Sequence, residues 1–251
     1  MTARQGVIHM GTSGWSYEYW KGPFYPPDLP TGDELSFYAR HCRSVEINSS
    51  FYRLPEQRTL QHWYDSVPDD FVFAAKASRY ITHMKKLREP ERSLPPFLER
   101  VALLGDKLGP LLFQLPPRWR CNPARLAALL DCLDGHHRYA FEVRDHSWLN
   151  ADIRTLLAQH NAAFCIYDLE GFRTPEWVTA DFVYIRLHGP AGAYRGSYSR
   201  QALSARASRI IEWALAGKSV YCYFDNDELG HAIGNACSLQ DILRRREPAL
   251  C

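Results

Sequence analysis

Short runs rich in β-branched and aromatic residues alternate along this chain with longer segments whose apolar positions recur at helical spacing. That alternation predicts β/α units built on a parallel sheet. Eight strands are expected: Val7 to Ser13, Ser44 to Asn48, Phe71 to Lys76, Leu111 to Leu115, Tyr139 to Arg144, Ala163 to Asp168, Phe182 to His188 and Ser219 to Asp225. Eight such units make a (β/α)8 barrel of the TIM type, and 251 residues suit one of them, so residues 1–251 read as a single barrel domain. Helix ends are also legible. Thr31 and Glu34 have capping-box spacing ahead of Leu35 to His41, and Asn122-Pro123 supplies an N-cap with proline at the first helical position of a helix stopping at Gly135. Ser199 to Ala216 ends at Gly217, which suits a left-handed C-cap. The repeat is irregular around its sixth helix, where only a short helical stretch near Pro175 to Val178 is expected. The first loop, Trp15 to Pro30, is long and contains four prolines.

A strand sends alternate side chains to opposite faces, so in a barrel one parity meets the helices and the other points inward. In the seventh strand Val183, Ile185 and Leu187 form the outward set, leaving Tyr184, Arg186 and His188 inside. The same reasoning turns Glu46 and Asn48, Lys76, Gln114, Glu142 and Arg144, and Tyr221, Tyr223 and Asp225 inward, with Asp168 at the end of the sixth strand. The ionisable members fall late in their strands, on the side where such barrels carry active sites. Burying an unpaired charge costs several kcal/mol or more, so these groups must pair with one another, stay hydrated or bind something. A ring of ion pairs holding the strands in register is one outcome. A polar pocket is the other, and it is favoured because apolar side chains alone suffice to fill a barrel.

Composition narrows the picture. Hydrophobic residues make up 46% and charged residues 23%, as in an ordinary globular chain. Thirty basic residues nearly balance twenty-eight acidic ones, so no global field favours nucleic acid or anionic membrane. Met1 to Gly6 lead into a strand without the apolar run of a secretion signal, and no stretch approaches the roughly 20 apolar residues of a membrane span. The seven cysteines (Cys42, Cys121, Cys132, Cys165, Cys222, Cys237 and Cys251) are odd in number and form no Cys-x-x-Cys pair, which fits a reduced, cytoplasmic protein. Cys165 and Cys222 read as small buried apolar residues.

Several blocks together carry a resemblance. They are Gly11-Thr12-Ser13-Gly14-Trp15-Ser16-Tyr17 with Trp20 and Phe24-Tyr25-Pro26, Val45 to Tyr52, Phe73-Ala74-Ala75-Lys76, and Gln114-Leu115-Pro116-Pro117. Phe141-Glu142-Val143-Arg144 with Ser147-Trp148, Tyr184 with Arg186-Leu187-His188-Gly189, and Tyr223 to Asp227 complete the set. Over most of its length the chain resembles the YecE-like family, domain of unknown function 72. The resemblance implies a barrel-type fold and an unassigned activity, and it supplies no catalytic residues.

Candidate chemistry therefore comes from the residues. Glu46, Lys76, Glu142, Arg144, Arg186, His188 and Asp225 form the candidate catalytic set. Trp15, Tyr17, Trp20, Asn48, Tyr52, Gln114, Asp168, Arg195 and Asn226 form the candidate ligand-binding set. The aromatic members suit stacking on a sugar or a base. The glycine-rich run Gly189 to Tyr198 ahead of a helix, with Arg186 and Arg195, suits an anion. Glu46 and Glu142 are the inward carboxylates that glycoside cleavage would use, and a tight Glu142–Arg144 or Glu46–Lys76 pair would remove that reading. Lys76 offers a Schiff-base route, opposed by the carboxylates that would keep it charged. No His-x-x-x-His pair occurs, so no metal site is assigned, although magnesium would need only the oxygens of Glu46, Glu142 and Asp225. No cofactor is singled out and the oligomeric state stays open. The pattern points to an enzyme using acid/base or electrostatic catalysis on a small polar substrate, sugar-like or phosphorylated. The alternative is a non-catalytic binding protein for a nucleotide, nucleic acid or sugar phosphate, with near-neutral charge disfavouring extended nucleic-acid contact.

Overall fold

Each of the eight expected strands is present in the computed structural model, which describes residues 5–250; Met1 to Arg4 and Cys251 lie outside the described residues. In chain order they are β1 (Ile8–Thr12), β2 (Ser44–Ile47), β3 (Val72–Lys76), β4 (Leu108–Gln114), β5 (Tyr139–Glu142), β6 (Ala163–Leu169), a short extra β7 (Phe172–Arg173), β8 (Phe182–Leu187) and β9 (Ser219–Phe224). Their order through the sheet is β1-β9-β8-β6-β5-β4-β3-β2, with β7 paired only to β6. Eight parallel strands with helices between them give the chain a (β/α)8 fold of the TIM type.

The chain divides into two compact units. The first holds the residues through Glu46, Ile166–Thr174 and Asp181 onward, and the second holds Ile47–Cys165 with Pro175–Ala180. In the first unit β9 pairs with β1 from Ile8 opposite Val220 to Thr12 opposite Phe224, and with β8 from Phe182 opposite Ser219 to Leu187 opposite Phe224. Helix Arg200–Leu215 buries Leu203, Ala207, Ile210 and Trp213, and helix His231–Arg246 buries Ile233, Ala236, Leu239 and Leu243. Both use the i, i+3, i+4 spacing of an amphipathic face. The Ser199 hydroxyl accepts from Ala202 N at 3.2 Å, and Gly217 at φ 84° closes the first of these helices, as the sequence predicts. β1 can run alongside Ser44 because residue 11 is glycine: a Cβ there would sit 1.8 Å from the Ser44 carbonyl oxygen.

The second unit packs around Phe113 and Phe141, stacked 5.3 Å apart on neighbouring strands. Trp148 is fully buried beside Trp119, and its Nε1 donates to the Trp119 carbonyl at 2.8 Å. Asn122 caps helix Pro123–Cys132 by accepting from Arg125 N at 3.0 Å, and the helix stops at Cys132, ahead of Gly135.

Two local expectations fail. The capping box at Thr31 does not form: the helix is Glu34–Tyr38, and the Glu34 carboxylate turns back to accept from Gly32 N at 2.7 Å. The helical stretch near Pro175 is absent as well. Glu170 and Gly171 adopt left-handed conformations that fold β6 back onto β7. Beyond them, Thr179 accepts from Phe164 N at 2.8 Å and donates to the Ala162 carbonyl at 2.6 Å, so its hydroxyl serves the backbone of β6 where a helix was expected.

Candidate functional site

In the first unit the inward residues of β2, β8 and the end of β9 meet as the strand parity requires. Glu46 is fully buried. Its Oε1 accepts from Arg186 Nη2 at 2.8 Å, from Arg186 Nε at 3.2 Å and from the Ser13 hydroxyl, while Oε2 accepts from the Tyr184 hydroxyl at 2.6 Å. Arg186, also fully buried, donates from Nη2 to Asp225 Oδ2 and to Ser13 Oγ, each at 2.9 Å. His188 places Nδ1 3.0 Å from Asp225 Oδ2 and Nε2 3.5 Å from Arg186 Nη1. A guanidinium has hydrogens only to give, so Nε2 is the nitrogen that can accept from it. The rings of Tyr167 and Tyr194 stand edge-on to this imidazole at 5.4 and 5.5 Å.

Beyond the strand ends, the loops of the same unit line an open surface hollow of about 410 Å³, formed by Tyr19, Tyr194, Arg195, Asp227, Glu228 and Leu229 with Ala193. The Tyr19 hydroxyl donates to Asp227 Oδ2 at 2.5 Å. Burial raises the Asp227 carboxyl above its usual range and the nearby Asp225 charge adds to this, while the Tyr19 hydrogen bond opposes it. Tyr194 and Leu229 both hold φ near 60°, unusual for residues with side chains, and both line the hollow. Gly189, at φ 108°, leads into this loop where a Cβ would meet the Arg195 carbonyl oxygen at 2.3 Å.

Several predicted ligand contacts take other roles. Trp20 is fully buried among Tyr17, Phe24 and Tyr25 and packs the first loop, and Trp15 is nearly as buried. Tyr17 donates to the Ser13 carbonyl at 2.6 Å. Asn226 is buried, and its Nδ2 donates to the Gly196 carbonyl at 2.7 Å and Asn235 Oδ1 at 2.9 Å, so it ties the loop after β8 to the last long helix. Asp168 pairs with Arg173 at 2.8 Å across the exposed hairpin. Arg195 lies at the rim of the hollow, 3.9 Å from Glu228.

In the second unit Glu142 is fully buried and committed: Oε1 accepts from Gln114 Nε2 at 2.7 Å and from both Nε and Nη2 of Arg144. This is the tight pair that removes the glycoside-cleavage reading of Glu46 with Glu142, because a carboxylate locked on a guanidinium cannot exchange protons with a sugar. The nearly buried Lys76 holds its ammonium 4.5 Å over the Phe51 ring, and His83 meets the same ring edge-on at 5.0 Å. His83 is pushed down to about 4 by burial first and then by Lys76, Arg79 and Arg144. Asn48 opens the short helix Ser49–Tyr52, and the exposed Tyr52 ring lines a surface groove with Trp63 and Arg53.

Asp227, Tyr194, Glu228 and His83 join these two groups without having been singled out as site residues. Asp227 stood within a quoted motif, but it lies beyond the strand end, where period-2 reasoning stops. Among the described residues no group of three His, Cys, Asp or Glu side chains is placed to hold a metal ion, and no helix is long and apolar enough to cross a membrane.

The family model described as "Protein of unknown function DUF72" matches residues 9–250. The chain is 33% identical over 142 residues to the UPF0759 protein YecE of Escherichia coli strain K12; that match covers 55% of this chain and 48% of YecE, so it spans about half of that relative. It is 29% identical over 276 residues to the UPF0759 protein YunF of Bacillus subtilis strain 168, covering 94% of this chain and 95% of YunF. Among solved structures, a DUF72 family protein from Thermotoga maritima superposes with a TM-score of 0.86 at 27% identity, covering 95% of this chain and 99% of that one.

Proposed function

Because the chain belongs to the DUF72 family, whose activity is unassigned, we propose a function from the site itself: an enzyme that moves a proton on a small, sugar-like substrate held in the hollow beyond β9. The observation that carries this reading is the Asp227 carboxyl, set in the wall of the hollow on the Tyr19 hydroxyl, in the field of Asp225, which Arg186 and His188 hold. A carboxyl raised by burial is better matched than a free one to giving and taking a proton. Asp227 is the group that would exchange the proton, with the Asp225 side chain beside it. The half-exposed rings of Tyr19 and Tyr194 offer apolar faces to a pyranose-sized ring, and Arg195 and Glu228 supply a donor and an acceptor for its hydroxyls.

A non-catalytic binding role is favoured by one observation: Glu46, Glu142 and Arg186 already use their polar atoms on other protein groups. Saturation-transfer NMR against a panel of neutral mono- and disaccharides, followed by mass spectrometry of the binders after incubation, separates the two roles. Binding weakened roughly tenfold in Tyr194→Ala, a loss of the size of one ring-stacking contact, is the expected result. Consumption of the bound sugar then marks an enzyme, and its return unchanged marks a binder. No binding by any member of the panel, or equal binding by Tyr194→Ala, overturns the reading.

A further inference from the structure

We propose that the first unit carries a second binding site, for a free acidic amino acid, in a surface hollow of about 330 Å³ between the start of helix Arg200–Leu215 and one face of helix His231–Arg246. This goes beyond the proton-transfer reading, since it shares no lining residue with the hollow used there and takes a charged ligand.

The pattern along the last long helix sets the site. Ile233, Ala236, Leu239 and Leu243 are buried, while Asn235, Ser238, Asp241, Ile242 and Arg245 recur at steps of three and four residues and line the hollow. From the neighbouring helix the hollow takes Arg200 and, one turn on, the buried Leu203. Its polar floor is held by the protein itself. Asn235, buried, accepts on Oδ1 from Tyr198 N at 3.0 Å and from Asn226 Nδ2 at 2.9 Å, and donates from Nδ2 to Ser197 Oγ at 3.0 Å. The Ser197 hydroxyl lines the hollow and keeps its own hydrogen to give.

Charges around this floor are uncommitted. Among the described residues neither Arg200 nor Arg245 has an ion-pair partner, and Asp241, one turn before Arg245 on the same helix, pairs with no cation either. The next residue behaves differently: Arg246 fixes its guanidinium on the Ser204 carbonyl at 3.0 Å and on Ser208 Oγ at 2.9 Å, so it clamps the two helices together. Basic residues at a helix C-terminus complement its dipole, but Arg244 and Arg246 already serve that end.

Two guanidinium forks against one carboxylate leave the hollow with one net positive charge. A dianionic phosphate would reach the arginines only by crowding Asp241. An acidic amino acid instead brings two carboxylates for the two arginines and an ammonium for Asp241, with one net negative charge overall. Leu203 and Ile242 offer an apolar contact to its methylene stem.

Isothermal titration calorimetry of the intact protein with sodium L-glutamate, glutarate, L-leucine and sodium phosphate at equal ionic strength tests the assignment. Glutarate lacks the ammonium and leucine lacks the second carboxylate, so each should bind roughly tenfold or more weakly than glutamate, the effect of one charge-assisted contact. Asp241→Asn should weaken glutamate by a similar factor while leaving glutarate as tight or tighter, and Arg245→Gln should weaken both. Asp241 and Arg245 are exposed, so the variants keep the fold, and a merely structural role would move all four ligands together. Absence of glutamate binding, phosphate binding as tight as glutamate, or equal glutamate binding by Asp241→Asn overturns the proposal. Neutral sugars carry neither charge, so the saccharide panel and this titration can fail independently.

Discussion

Arg186→Met is expected to destabilise the protein by about 3–5 kcal/mol, the usual consequence of removing one partner from a buried ion pair. For a chain of this size that corresponds to a fall of roughly 10 °C in the melting temperature. The guanidinium is fully buried and is the group that Glu46, Asp225 and Ser13 share. Without it Glu46 keeps only the Tyr184 and Ser13 hydroxyls among these contacts, and Asp225 keeps His188. Thermal and urea unfolding measure the loss. The double variant Glu46→Gln/Arg186→Met should lose about 1–3 kcal/mol less than the sum of the single variants, because the orphaned carboxylate is gone. An Arg186→Met protein as stable as the parent would show that the network is hydrated and weak.

Asp227→Asn should abolish most turnover on whatever sugar the panel identifies, by roughly 10²–10⁴-fold, the range of a lost general acid or base. Its effect on stability should run the other way. Burial and Asp225 raise the Asp227 carboxyl above its ordinary 3.8. Such a group contributes stability below the unfolded value, and that contribution is lost as the pH rises through the folded one. At neutral pH the parent therefore carries a penalty that asparagine lacks, so the variant should melt at the same temperature or higher at pH 7, and its advantage should vanish in acid. Melts at the two pH values, set beside the activity assay, check both signs. A variant that melts lower at pH 7 with turnover intact would make Asp227 a structural residue.

Strand parity made much of this site readable in advance. Alternation along Phe182 to Leu187 turns Tyr184 and Arg186 to one face whatever the rest of the chain does, and Glu46 and Asp225 follow from the same period in β2 and β9. Pairing was not readable, since Glu46 and Arg186 are 140 residues apart and meet only through tertiary register. Loop residues were harder still. Trp20 and Tyr19 stand side by side in the same aromatic run, yet one is buried and the other opens onto the hollow, because proline-rich loop geometry has no period to read. His83 gave no signal as a single histidine after β3; its place against Phe51 and Thr82 comes only from the folded structure.

The burial of tyrosines around the first unit's network sets the alkaline limit of the fold. Tyr17, Tyr25, Tyr38, Tyr184 and Tyr223 are all held well above the ordinary phenol value of 10.0, in each case chiefly by burial. Each favours the native state below pH 10, where both states keep the phenolic hydrogen, and gives up that contribution as the pH climbs toward its folded value while the unfolded chain sheds protons freely. Five such groups in one unit add their slopes, so base opens this fold through the same hydroxyls that hold Glu46, Ser44, Ser13 and Trp15 in place.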